Sequence, residues 1–306
     1  MDVPLSYARK NILNEKIAII RAVAACGALL TLLFNNVGQL TQKLQVMGKD
    51  EMVDTILIQK ISLFNLLPPV YAKYVGILIL LAVISGYYPK ITCFLHAWIC
   101  LSISNSFVPL DGGDQIAANL SLLLIPVCIC DARTTQWSKP NNKNPGINVF
   151  TNVAFFFIQF QAAVIYLHSA IGKLATPEWI NGTATYYWLS NPIFGAPDWL
   201  RHMYETVTLS KWVFILTWSV MAFELALFAC ILAPKQIKRF FLKPAIAFHF
   251  FIILTHGLFS FFFAITALLI AYLDDSNDSI KFIHSFFSRL HRTTTNCPKT
   301  PPLTLP

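Results

Sequence analysis

The stretch from Phe150 to Trp188, FTNVAFFFIQFQAAVIYLHSAIGKLATPEWINGTATYYW, decides the fold. Its first part, residues 150–172, is apolar and aromatic, and it exceeds the roughly 20 residues a helix needs to cross a bilayer. The run closes on Lys173. A polar turn with Glu178 and Trp179 follows, then the cluster Tyr186, Tyr187 and Trp188. A lysine just past a lipid-compatible span is either an interfacial anchor or a reactive amine in a membrane-embedded site.

The whole chain carries the same signature. It is 56% hydrophobic and 12% charged, with 25 phenylalanines, where a soluble domain carries about 25% charged residues. A soluble enzyme is excluded. Besides 150–172, the segments 17–34, 71–88, 91–108, 115–131, 211–233 and 244–273 approach spanning length. The expected architecture is an all-α, polytopic transmembrane helical bundle of about seven spans over residues 1–275. A basic, Pro- and Thr-rich tail over 276–306 reads as disordered. The last span is interrupted at His256-Gly257, so it is either one long tilted helix or two half-helices.

The net charge of +8 reflects basic residues at the ends of apolar runs, so topology explains it and no nucleic-acid partner is expected. Arg9, Lys10 and Lys16 precede an uncleaved first helix and place the N-terminus in the cytoplasm. Loops 132–149 and 234–243 are basic and fall on the same side; loops 35–70 and 173–210 are external. One conflict remains. Seven crossings would leave the basic tail (Lys281, Arg289, Arg292, Lys299) outside, and only a broken last span returns it to the cytoplasm.

Ionisable groups within spans are functional candidates. Arg21 reads as snorkelling to the cytoplasmic interface, or as partner to an acid such as Glu224. Glu224, in the middle of its span, must be paired, protonated or facing water. His249 and His256 share a helical face if their segment is continuous. With His168 and Lys173 they are expected to border one externally open cavity. Glu178 is a candidate partner for the Lys173 amine, and Gly172 would let a neighbouring helix approach it. Asp111 and Asp114 flank a Gly pair; Asp114 reads as a helix N-cap in a tight turn. No metal-ligand spacing stands out, so no metal is expected. The seven cysteines include no C-x-x-C and read as structural.

DGGDQIA at 111–117, LLIPVCICDAR at 123–133 and YLHSAIGKLATPEWINGTATYYWL at 166–189 resemble the SdpB family. That family belongs to the HTTM group of membrane proteins, together with the vitamin K-dependent γ-glutamyl carboxylases. AFHFFIILTHGLFSFFFAITALLIAYL at 247–273 is similar to the same group. The resemblance implies a cell-membrane protein needed to mature a secreted, membrane-active killing peptide, either with chemistry at Lys173 or as a non-catalytic chaperone, export or immunity-like partner of the toxin precursor. It implies as partners a toxin-precursor peptide and a small SdpA-like protein. Lys173 matches a lysine that, in the carboxylases, deprotonates reduced vitamin K. The chain stops soon after the membrane region, where the carboxylases continue into a lumenal domain, so a membrane core binding a quinone-like lipid or a peptide is expected rather than γ-carboxylation. The resemblance names no cofactor for this chain. The candidate catalytic set is Lys173, His168, His249 and His256; the candidate substrate-binding set is Glu178, Trp179, Asp111, Asp114 and Glu224.

Overall fold

Proline and glycine mark the limits of the apolar runs. A computed structural model of the chain describes residues 11–46, 60–108, 112–139, 144–275 and 285. Eight longer helices carry the architecture: α1 (Glu15–Phe34), α4 (Pro69–Ile84), α5 (Pro89–Ser106), α6 (Gly112–Ile129), α7 (Pro145–Lys173), α11 (Val213–Ala229), α12 (Lys235–His256) and α13 (Phe259–Leu273). Shorter helices fill the connections: α2 (Val37–Val46), α3 (Leu63–Leu66), α8 (Pro177–Ile180), α9 (Ala184–Leu189) and α10 (Asp198–Thr208). Proline opens α4, α5, α7 and α8, where its missing N–H costs nothing. The Asn14 side chain caps α1 by accepting from the Lys16 amide. Pro126 and Pro244 lie inside α6 and α12, as packed membrane helices tolerate. Among the described residues there is no strand, only an isolated bridge between Tyr87 and Thr135.

The helices run alternately up and down. At the end where α1 begins, here the near end, Lys16 Nζ donates to the Asp274 carbonyl at 2.8 Å. The Tyr88 amide donates to the Thr134 carbonyl there at 2.8 Å, and Lys238 pairs with Asp275 at 3.4 Å. At the far end, Lys73 Nζ donates to the Asn35 carbonyl at 3.1 Å, and the Ser62 and Ser106 hydroxyls meet at 2.7 Å. Among the described residues four helices are long and apolar enough to cross a membrane: α1, α6, α7, and α11 with its 3₁₀ extension to Leu232. α4 and α13 are shorter apolar helices.

The long last stretch resolves into two packed helices. Gly257, with φ of +69°, ends α12 in the left-handed region, where a side chain would be strained. α13 then returns along α12 and packs against α1, α6 and α7. Its second half, Ala267–Leu273, is wholly buried. The close approach is made by Gly113, where a Cβ would collide with the backbone of Ser260 and Phe261. The chain therefore leaves the bundle at Asp275 on the near end, with Arg133, Lys139, Lys235 and Lys238. The conflict created by seven crossings disappears.

Arg21 departs from both expectations. It neither snorkels nor reaches Glu224; it is 1% exposed in the core at the near end. Its Nη1 donates to Gln136 Oε1 at 2.6 Å and its Nη2 to Thr92 Oγ1 at 2.8 Å. Gln136 Nε2 in turn reaches Asp131, which pairs with Arg133 at 2.7 Å. Asp111 and the basic tail after 275 (residue 285 excepted) lie outside the described residues.

Candidate functional site: a lysine–glutamate pair inside the bundle

Tyr166, Ser169 and Lys173 are spaced three and four apart on α7, so they line one helical face. α11 packs along α7 and supplies Glu224, and α12 brings His249 against Tyr166. Lys173 Nζ lies 2.8 Å from each carboxylate oxygen of Glu224 and 2.7 Å from Ser169 Oγ. Ser169 Oγ in turn donates a hydrogen bond to Glu224 Oε1 at 3.0 Å. The three ammonium protons are thus all engaged. On the remaining side the amine sits 5.2 Å from the Trp179 ring centroid, a cation–π contact. An unpaired charge in this apolar setting would be costly, and the mutual pairing removes that cost. The lysine side chain keeps 18% of its surface exposed and the glutamate 9%.

Around the pair, the Tyr166 hydroxyl is buried without a hydrogen-bond partner among the described residues. The His249 ring lies edge-on to Tyr166 at 6.0 Å between centroids, between Phe248 and Phe261. Its Nδ1 is 2.7 Å from the Ala245 carbonyl. A carbonyl can only accept, so Nδ1 carries a proton, and in the neutral imidazole Nε2 is then the acceptor.

The other candidates are dispersed. His256 is at the far end, with Nδ1 2.6 Å from the Phe194 carbonyl and its ring edge-on to Trp188; it ties the α9–α10 connection to the end of α12. His168 is exposed on α7, off the face that carries Lys173. Glu178 is half-buried, and Glu224 rather than Glu178 takes the lysine. Trp179 is tied down by Trp218, whose Nε1 donates to the Trp179 carbonyl at 3.2 Å. Gly172 has no neighbour within 4 Å of where a Cβ would stand, so no helix closes over the amine there. Asp114 is not the N-cap of α6 but lies within its first turn, two residues past Gly112; it is buried beside a separate cavity of about 780 Å³ walled by Phe34, Phe107, Leu258 and Phe259. Among the described residues no group of three or more His, Cys, Asp or Glu side chains is placed to hold a metal ion.

Sequence reasoning missed Ser169 and Tyr166. The signal was present as their helical spacing from Lys173, but a Ser and a Tyr in an aromatic helix look like packing residues.

A helical membrane bundle with a carboxylate-paired lysine at the mouth of its fifth long helix is the class of protein defined here. The chain belongs to the SdpB family. It is 35% identical over 210 residues to the sporulation-delaying protein SdpB of Bacillus subtilis (strain 168), covering 68% of this chain and 65% of SdpB, just under two thirds. It is 33% identical over 214 residues to the uncharacterized protein YitO of the same organism, covering 69% of each. No family model and no solved structure matches the chain.

Proposed function

We propose that this protein is a membrane factor for producing an exported, SDP-like toxin peptide, and that it acts by binding the peptide precursor at the far end of the bundle. The far end is the external one on this reading, because the basic loops collect at the near end. The observation that carries the proposal is the set of contacts that Lys173 makes. An ammonium with all three protons engaged by Glu224 and Ser169 has no lone pair to offer as a base or nucleophile. It remains able to exchange partners. A carboxylate or backbone carbonyl on an incoming peptide can take a proton from the amine, and a peptide amide can take the place of the amine on Glu224. A small SdpA-like protein and the toxin precursor are the partners this role requires.

A second reading is favoured by one observation, the K-L-x₄-W-x-x-G context of Lys173 and its likeness to the γ-carboxylase lysine. In that reading Glu224 takes the proton and releases a neutral amine, which then deprotonates a substrate. The two readings part in the mass spectrum of the secreted peptide. Cells with the gene, without it and with Lys173→Gln are compared. Precursor binding predicts less peptide at unchanged mass. A peptide of altered mass in the Lys173→Gln cells would overturn it in favour of chemistry at the amine.

A further inference from the structure

α10 has the sequence DWLRHMYETVT, and its apolar residues fall on one broad stripe: Trp199, Leu200, Met203, Tyr204 and Val207. Half of that stripe is accounted for. Leu200 and Tyr204 are 7% and 9% exposed, packed with Leu189 and Ala196 in a small cluster apart from the main core. Tyr204 also donates to the Leu189 carbonyl at 3.1 Å. The other half is bare, with Trp199 66% and Met203 72% exposed. Ile193 and Phe194 extend the bare surface from the preceding turn, and Trp212 extends it toward α11.

Two features of the chain say what covers this surface. First, only residues 209–212 separate α10 from α11, a span with just 22% of its length buried inside the protein, against 67% for α1. α11 therefore presents most of its surface to lipid. Its start, where Phe214, Ile215 and Trp218 are exposed, lies at the height of the bilayer boundary, and so short a linker holds α10 at that height. Second, Lys211 stands 5.5 Å from the Trp212 ring in the same linker, a Lys–Trp arrangement suited to the headgroup layer.

We infer that α10 is an interfacial helix, lying along the far-side membrane surface with Trp199 and Met203 sunk into the boundary of headgroups and acyl chains. The occupant of the bare stripe is lipid. Its burial would reach about 5–10 Å into the leaflet, as for other amphipathic helices that lie on membranes. Leu200 and Tyr204 fix the helix to the protein, and His256 fixes the preceding turn through the Phe194 carbonyl. The result is an anchored platform beside the α7–α11 pair, onto which a membrane-adsorbed peptide can settle.

The test uses the full chain in vesicles of phosphatidylcholine and phosphatidylglycerol. A photo-activatable benzoylphenylalanine replaces Trp199, Met203 or, on the polar face, Glu205, and adducts are identified by mass spectrometry. Lipid adducts at 199 and 203 with none at 205 are expected. Absence of lipid adducts at both 199 and 203, equal yields at all three positions, or cross-links from 199 and 203 to a second protein chain would each overturn the inference.

Discussion

Arg21 and Lys173 are both cations held among apolar helices, and their hydrogen bonds are arranged in opposite ways. Arg21 is sealed in the core. It donates to two neutral side chains, Gln136 and Thr92, and reaches the Asp131 carboxylate only through Gln136. Lys173 donates directly to a carboxylate and retains some exposure. The first arrangement fixes the near-end loop to α1 and α5 and has no route for a ligand. The second is a two-member charge pair at a helix mouth, which an incoming polar group can open. Burial alone does not mark a functional charge; burial with a replaceable partner and a path to it does.

The sharpest way to break this comparison is Arg21→Ala. It empties a large buried volume and strips one hydrogen bond each from Gln136 and Thr92, so a loss of about 3 kcal/mol or more is expected. That would be read as a lower thermal midpoint in detergent and reduced membrane abundance. An Arg21→Ala protein of normal stability would erase the structural role.

Gly113→Val should come next. A side chain there meets the Phe261 backbone, and the α13 shift it forces should cost about 1–3 kcal/mol. Gly172→Ala is the matching control, with no measurable change expected.

For the pair itself, Glu224→Gln should cost less than Arg21→Ala, about 1–2 kcal/mol after allowing for the lysine's partial exposure. Adding Lys173→Gln should cost less than the sum of the two single changes, because two amides can hydrogen-bond where an ammonium and an amide are mismatched. Strict additivity in unfolding midpoints would mean that the two side chains are not coupled. Smallest of all, Asp275→Asn at the edge of the near end should change stability by no more than about 1 kcal/mol.

The helices were legible because membrane spans are written locally, as runs of apolar residues. The break at His256-Gly257 was visible for the same reason, and in the structure it divides the stretch into two helices, so that the chain reaches Asp275 at the near end. Lys173 and Glu224 could each be singled out from the cost of a charge in a span. Their pairing could not, since the two are 51 residues apart and helix packing alone brings them together. Arg21 was misread for a related reason. Its partner Gln136 lies 115 residues away in a polar loop, and nothing local separates a sealed arginine from a snorkelling one. Of the four expected cavity residues, Lys173 and His249 both lie beside Tyr166, while His168 and His256 lie elsewhere, because periodicity fixes a face within one helix but says nothing of which neighbour that face meets. His168 and Lys173 are five residues apart, which already places them on different faces.

The central claim is that Lys173 works as a paired, replaceable charge rather than as an amine reagent. Lys173→Arg tests it most directly, because a guanidinium keeps the charge and can grip Glu224 with two hydrogen bonds, yet cannot serve as a neutral amine. The measurement is the amount and mass of peptide released by cells that carry Lys173→Arg at normal membrane abundance. Peptide of unchanged mass, at close to the normal amount, is the predicted result; loss of the mature peptide would contradict the account.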